Sequence, residues 1–396
     1  MKLNSGENVA PIVFAIWLHA LTLVFLWARG LNMVVYEGAY LCSVFPVLLL
    51  FIRAWGEIKV PSVLFLLLPF VYLLVVSASN LFGLPTENWY AYLLNIYWLF
   101  VLSFLVTLAH EGVFFKTVRF YGLIGIPYLL ITVLDIVSKS GLAELGLHHN
   151  YIAMGCLGIF VSVLATVESK LLVSAAVLLA IVIGILLISR AAILCSLLAL
   201  GIRYVFWGLK GTERKNLFNQ VARKALKALW IILLAVVIIF ITTGDLIIEL
   251  LALDSSYRGV GSGLSGRTDR WLVALSYIFD RPWLGYGYGQ ANQTIGFSID
   301  NAYLTVAFEV GLVGLLLYVA WILIGLCKSI NLKGLADDRN ARISFMVLIT
   351  YCVYGMFERR HFNAGNPFSI IFCFSMFYSL KCSSIRYGRP IAAEDG

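Results

Sequence analysis

Roughly twelve apolar runs, each about twenty residues long, constrain the fold of this chain more than any other sequence feature. A helix needs about 20 apolar residues to cross the hydrocarbon core of a bilayer. The runs are centred near Trp17, Val44, Leu68, Leu99, Leu129, Leu157, Val177, Leu198, Leu234, Leu315, Leu348 and Phe374. This pattern predicts an all-α polytopic integral membrane protein with about twelve transmembrane helices.

The composition excludes the soluble classes of protein. Hydrophobic residues make up 61 % of the chain and charged residues 13 %, whereas a soluble domain carries about a quarter charged residues. One core cannot bury so much apolar surface. The seven cysteines show neither the spacing of a zinc site nor a disulfide framework. We interpret the net charge of +8 as a feature of membrane topology and not of nucleic-acid binding.

The distribution of basic residues predicts the orientation. With the N-terminus inside, twenty of the 29 Lys and Arg residues fall in inside segments and nine fall outside. Cytoplasmic loops collect Lys and Arg, so both termini are expected in the cytoplasm. Eight of the nine outside residues are arginine. Arginine binds phosphate and carboxylate bidentately, which favours anion recognition; snorkelling of arginines at helix ends is the alternative.

The predicted spans divide the chain into four parts. Residues 1–243 hold spans one to nine, with a basic cytoplasmic loop at 203–227. Residues 244–300 form the longest external loop, and 301–382 hold spans ten to twelve. Residues 383–396 form a cytoplasmic tail. Both long loops lie late in the chain, without an evident repeat of two halves, which weakens a transporter interpretation.

A short helix is expected inside the external loop. Ser265 is a plausible N-cap after a glycine-rich lead-in, and Pro282 closes the helix. Trp271, Leu275 and Ile278 share one face, which suits the membrane interface.

Arg267 and Arg270 are three residues apart on this helix, so their side chains can converge on one anion. Ion pairs with Asp269 or Asp254 are the alternative.

A second feature of the loop is the sequence Gly285-Tyr-Gly-Tyr-Gly289. It lacks the strand and helix of a nucleotide site, so we predict a tight turn with close backbone approach to a ligand or another segment. Asp300 follows where the chain re-enters the membrane. An acidic residue there is either an N-cap or a functional group.

Four sequence pieces occur in a fixed order. They are Ser189-Arg190; Gly266-Arg267 with Trp271; Arg281-Pro282-Trp-Leu-Gly285-Tyr-Gly287; and Asn301-Ala-Tyr303-Leu304 leading to Glu309-Val-Gly311 and Gly314. Together with the large external loop between spans nine and ten, this set resembles the bacterial O-antigen ligase and polysaccharide polymerase superfamily. The detailed resemblance covers the C-terminal half, and the N-terminal half matches by hydropathy alone.

The resemblance implies an inverting glycosyltransferase in the bacterial inner membrane, with 244–300 as a periplasmic catalytic loop. Such an enzyme passes a glycan from an undecaprenyl-diphosphate carrier to an acceptor hydroxyl. Arg190 and Arg267 match the family's diphosphate-binding arginines. Ligases usually have histidine before the re-entering asparagine, and Asp300 stands there instead. We therefore expect a polymerase, with an O-antigen ligase acting on lipid A–core as the first alternative and a lipid-linked sugar transporter or flippase as the second.

The expected roles follow from this chemistry. Asp300 is the candidate base for the acceptor hydroxyl. The candidate diphosphate ligands are Arg190, Arg267, Arg270 and Arg281. The candidate substrate-orienting residues are Asn301, Tyr303, Trp271, Tyr286, Tyr288 and His149; for the three loop aromatics an interfacial belt is the alternative. The loop has no DxD cluster, so neither a metal nor a cofactor is expected. The expected partners are the lipid-linked donor, a glycan or lipid A–core acceptor, and membrane lipids.

Overall fold

The computed structural model describes residues 6–27, 67–83, 89–109, 111–138, 149–187, 189–207, 220–227, 230, 263–330, 335, 338–358 and 366–387. All regular structure within these ranges is helical, which confirms the all-α prediction for this part of the chain. The helices are α1 (Gly6–Trp27), α2 (Leu68–Gly83), α3 (Trp89–Leu108), α4 (Glu111–Ser138), α5 (His149–Thr166), α6 (Lys170–Leu186), α7 (Arg190–Phe206), α8 (Gly263–Asp280), α9 (Ala291–Ile295), α10 (Ala302–Ser329), α11 (Arg339–Tyr354) and α12 (Pro367–Tyr387).

The predicted membrane spans compare with these helices as follows. Ten of the predicted centres lie on described helices, and those near Val44 and Leu234 lie outside the described residues. Gly112–Ser138 and Ala302–Ser329 are long and apolar enough to cross a membrane, and several shorter helices are apolar throughout. The apolar helices support a membrane protein, with two candidate spanning helices in the described part of the chain, and the count of twelve stays a prediction.

Several neighbouring helices run in opposite directions, which gives the bundle two distinct ends. Ser79 and Tyr72 of α2 contact Glu309 and Tyr318 of α10 respectively, so these helices are antiparallel. The last residue of α7, Phe206, packs against the first half of α11. We call one end, with the start of α7, the start of α10, the end of α11 and residues 263–300, the site end. The opposite end is the basic end.

Cations are distributed unequally between the two ends. At the basic end Arg203 donates to the Val167 carbonyl over 2.9 Å, and Arg339 stacks on Phe115 at 3.6 Å from the ring centroid. Lysines and arginines occur together there. In the described part of the chain, the cations of the site end are all arginines: Arg190, Arg267, Arg270 and Arg281.

The core of the bundle surrounds α12. Every described side chain in 366–380 is buried, as expected of a helix that is apolar on all sides. Phe374 lies against Phe14 and Phe114, with ring centroids 5.4 and 5.1 Å apart. The surrounding helices pack on this central helix. Among the helices of the bundle, α10 and α11 border the candidate site.

A kink in α10 positions the loop after α8. Gly311 adopts φ 78° and ψ 180°, which interrupts the helix. The Leu312 amide, which a regular helix would pair with Phe308, donates instead to the Pro282 carbonyl over 2.7 Å. The Phe308 carbonyl in turn accepts from the Tyr286 amide over 3.0 Å. The loop therefore supplies the hydrogen bonds that the kink removes from α10.

Glycine is required on both sides of this contact. A Cβ on Gly311 would collide with the Trp283 carbonyl, and one on Gly285 would collide with the Phe308 carbonyl. Gly285, Gly287 and Gly289 have φ of 65°, 97° and 81°, which only glycine adopts readily. The predicted tight turn with close backbone approach is confirmed, and its partner is another segment of the chain.

Candidate active site

Asp300 and Arg270 form the centre of the candidate site. Arg270 Nη1 lies 3.2 Å from Asp300 Oδ2, and the Ser298 hydroxyl donates to Asp300 Oδ1. Each carboxylate oxygen therefore has its own partner, which fixes the orientation of the group. The sequence singled out both residues, and the structure brings them together as an ion pair.

The backbone at Asp300 is unusual. Asp300 has φ 48°, the only positive value of a non-glycine residue in the described ranges. Such conformations cost free energy and cluster at functional sites. The N-cap of α10 is the next residue: Asn301 Oδ1 accepts from the Leu304 amide over 3.0 Å. Asp300 is therefore not the cap, and its carboxylate faces Arg270.

A second ion pair lies one turn earlier on α8. Arg267 Nη2 is 3.7 Å from Glu358 Oε1, and Glu358 is only 4 % exposed. Glu358 follows α11, and its sequence context is that of an ordinary acid at a span boundary, so sequence analysis missed it. Both arginines pair with acids other than Asp269, and the alternative partner Asp254 lies outside the described residues.

The pairs have a common chemical consequence. Arg267 and Arg270 place two guanidinium groups beside the carboxylates of Glu358 and Asp300. All four side chains are partly or almost fully shielded from solvent. Guanidinium groups can bind phosphate oxygens bidentately, and a carboxylate can accept a proton, so both kinds of group are present at the candidate site.

The other two predicted arginines are Arg190 and Arg281. Arg190 is the first residue of α7, half-buried, at the site end. Arg281 follows α8 and lies about 16 Å from Arg270 along the helix axis. Its guanidinium stacks on Tyr286, 4.7 Å from the ring centroid. Burial raises the pKa of Tyr286 and Asp280 raises it further, while Arg281 lowers it, so the phenol stays neutral at physiological pH.

Three of the six predicted orienting residues use their polar side-chain atoms to hold the backbone near Asp300. The Trp271 indole donates to the Ile299 carbonyl over 2.8 Å. Asn301 Nδ2 donates to the Met356 carbonyl and the Tyr303 hydroxyl to the Cys352 carbonyl, over 3.2 and 3.0 Å. These bonds fix the start of α10 against the end of α11, so Asp300 is held from both sides.

The remaining aromatic candidates pack within the protein. Tyr286 stacks on Phe308, with ring centroids 4.8 Å apart. The Tyr288 amide donates to Asn80 Oδ1 over 2.8 Å, and Asn80 is buried in α2. His149 begins α5, and its side chain lies outside the described part.

Two predictions about α8 are wrong. The helix begins at Gly263, so Ser265 lies inside it and is not the N-cap. The face of Trp271, Leu275 and Ile278 packs against Ala307 and Phe308 of α10, so it is not the face that meets the membrane interface. The helix ends at Asp280, as Pro282 predicted.

Residues 175–319 match the family described as O-antigen ligase. This match supports a relationship of the segment to the O-antigen ligase and polymerase superfamily. A comparison with curated proteins gave no match to the chain. The resemblance drawn from the motifs is confirmed for the matched residues.

The O-antigen ligase segment contains the carboxylate, all four arginines and every orienting candidate except His149. Glu358 also lies outside it. The match supports glycosyl transfer of the ligase or polymerase type between a lipid-linked glycan and an acceptor. Among the residues that the structure describes, no three His, Cys, Asp or Glu side chains are grouped to hold a metal ion.

Proposed function

We propose that this protein is a periplasmic, inverting glycosyltransferase that polymerises glycan repeat units carried on undecaprenyl diphosphate. The observation that carries the proposal is the Arg270–Asp300 pair, 3.2 Å apart, inside the O-antigen ligase segment. A base and a phosphate-binding cation side by side are what the transfer requires.

In the proposed reaction Asp300 accepts the proton of the acceptor hydroxyl. The hydroxyl oxygen attacks the anomeric carbon from the side opposite the diphosphate, forming the new glycosidic bond with inversion. The bond from that carbon to the diphosphate oxygen breaks, and its electron pair stays on the diphosphate. Arg267 and Arg270 neutralise this negative charge through bidentate hydrogen bonds, without the need for a metal ion.

The proposed location of the reaction rests on the distribution of cations. The described site end carries arginines and the opposite end carries lysines and arginines together. Since cytoplasmic segments collect Lys and Arg, the basic end is assigned to the cytoplasm and the site end to the periplasm. In this assignment both termini are cytoplasmic, and the protein resides in the inner membrane of a bacterium.

Purified protein incubated with an undecaprenyl-diphosphate-linked repeat unit tests the proposal. Longer carrier-linked product is expected with and without EDTA. Asp300→Asn should abolish it, because the amide cannot accept the proton, while the matched variant Asp269→Asn on the exposed side of α8 retains it. A fully active Asp300→Asn protein would remove the base assignment.

The absence of product from the wild-type protein would instead sink the transferase proposal and favour a lipid-linked sugar transporter or flippase.

The description of the matching family favours an O-antigen ligase as the second candidate. A ligase uses the same donor and transfers the glycan to lipid A–core. Deletion of the gene separates the two functions. Loss of all polymeric glycan supports the polymerase, whereas accumulation of long carrier-linked chains supports the ligase.

A further inference from the structure

Phe297 lies beside the ion pair at the centre of the candidate site. Its ring centroid is 5.9 Å from the guanidinium carbon of Arg270, and the same guanidinium pairs with Asp300 over 3.2 Å. The hydroxyl of Ser298, the next residue, donates to the other oxygen of the Asp300 carboxylate. An aromatic ring, a cation and a carboxylate therefore meet at one place, and sequence analysis singled out only the two charged residues.

The position of this ring, and not its exposure alone, distinguishes it from other surface aromatics. Phe297 is partly exposed, whereas Ile299, two residues further on, is fully buried. In the described part of the chain, the buried cluster that contains Ile299 and Phe308 does not include Phe297. A guanidinium within about 6 Å of an aromatic ring attracts it. The ring is therefore held against the charges of the site and stays outside the adjacent core.

The segment that carries Phe297 is fixed on both sides. On one side Gly296 ends α9 in a left-handed conformation, and its amide donates to the Asn292 carbonyl over 3.0 Å. On the other side the Ile299 carbonyl accepts from the Trp271 indole. A ring that is already held in place loses little conformational freedom when a ligand covers it, which favours binding.

The aromatic side chains that the sequence proposed for sugar stacking have contacts within the protein. Trp271 packs at the edge of the cluster around Ile299. Tyr286 stacks on Phe308, and Tyr288 packs against the main core of the bundle. The expectation of an aromatic sugar contact therefore passes to another ring of the same loop.

A ring, a guanidinium and a carboxylate together suit a sugar. One face of a pyranose consists of C–H groups, which an aromatic ring can cover. Its hydroxyls donate to carboxylates and accept from guanidinium groups. Because one guanidinium contacts both the Phe297 ring and the Asp300 carboxylate, a sugar bound on the ring lies next to the proposed base. Proton transfer requires such proximity between the attacking hydroxyl and the base.

We propose that Phe297 is the stacking platform for the acceptor sugar and directs the attacking hydroxyl of that sugar to Asp300. This inference rests on the proposed function and adds the place of the acceptor. It applies to a repeat unit and to lipid A–core alike, since both present a sugar hydroxyl. Arg267, one turn before Arg270 on α8, pairs with Glu358 and not with this segment. The donor diphosphate and the acceptor sugar thus have separate contacts that meet at Arg270.

Acceptor kinetics test the platform. The acceptor is a methyl glycoside of the repeat unit, which has no diphosphate and can only accept, at a fixed concentration of undecaprenyl-linked donor. Phe297→Ala and Phe297→Leu should each raise the KM for this acceptor about tenfold, because both remove the ring contact. The values of kcat and of the KM for the donor should stay unchanged. Phe297→Trp should restore most of the acceptor affinity, and leucine should not, although it keeps an apolar side chain.

The matched control is Phe279→Ala on the outer face of α8, where the side chain is 75 % exposed. It should keep the wild-type KM for the acceptor. An unchanged acceptor KM in a Phe297→Ala protein that still makes product would overturn the platform while the transferase proposal stands. A rise in the KM for the donor alone would overturn the assignment of the ring to the acceptor.

Saturation-transfer NMR gives a readout that does not need turnover. Wild-type protein in phospholipid nanodiscs is mixed with the same methyl glycoside, and saturation should pass from the protein to the C–H protons of the sugar. Phe297→Ala should lose this transfer, and Phe279→Ala should retain it. Equal transfer in the wild type and in Phe297→Ala would overturn the platform. Transfer that depends on Phe297, in a protein that makes no glycan product, would support the platform and reject the proposed transferase activity.

Discussion

Arg267 of α8 and Glu358, just beyond α11, form an ion pair of 3.7 Å in which the carboxylate is almost fully buried. The pair joins a helix of the O-antigen ligase segment to a residue outside that segment. Removing one member of a buried pair leaves the other charge without compensation.

Glu358→Gln should therefore lower stability. We expect a loss of about 1–3 kcal/mol, seen as a lower Tm in detergent solution, because Arg267 keeps its charge and loses its counter-ion. The double variant Glu358→Gln/Arg267→Gln should recover part of this loss. Strict additivity of the two single changes would show that the residues do not interact.

Arg270→Lys should reduce kcat/KM about 10- to 100-fold while the protein stays folded. Lysine keeps the charge but cannot make the paired hydrogen bonds of a guanidinium to phosphate or carboxylate. Arg267→Lys should behave in the same way. Arg223→Lys, in the helical stretch 220–227 at the basic end, serves as the matched control. Wild-type turnover by Arg270→Lys would reduce the role of this arginine to a point charge.

Gly311→Ala should destabilise the protein by about 2 kcal/mol or more, since it combines an unfavourable φ with a collision at the Trp283 carbonyl. Gly289→Ala is the control for conformation alone: its φ is 81° and a Cβ there meets nothing within 4 Å. Thermal unfolding of the two variants measures the difference. Equal Tm values would mean that contact between the loop and α10 adds nothing to the cost of positive φ.

Asn301→Ala should cost about 1 kcal/mol through loss of the N-cap of α10. It also removes the bond to the Met356 carbonyl. Asn301→Asp keeps an acceptor for the Leu304 amide and should restore most of the Tm. If the aspartate variant is as unstable as the alanine variant, the bond to Met356 dominates and capping does not.

The sequence predicted those features that local chemistry determines. The apolar runs located α1 and α10, Pro282 predicted the end of α8, and the glycines from Gly285 to Gly289 predicted a turn. Features that depend on which helices become neighbours were missed or wrong. Glu358 is more than ninety residues from Arg267 in the chain, and nothing local marks it as a partner.

The errors on α8 have the same physical origin. Ser265 was a reasonable cap by local preference, but α8 starts at Gly263. Both faces of α8 carry apolar side chains, so periodicity alone could not decide which one packs on α10. The contacts of Ala274 and Ile278 decide it, and they place Leu272 and Phe279 outside.

The hydrogen bonds around Gly311 couple the position of the loop from Pro282 to Gly289 to that of α10. If the loop from Pro282 to Gly289 moved away from α10, the Phe308 carbonyl and the Leu312 amide would both lose their partners. Displacing the loop therefore costs free energy in α10, the helix whose N-cap directly follows Asp300. This coupling favours a rigid candidate site, which the proposed substrates would reach without displacement of the loop.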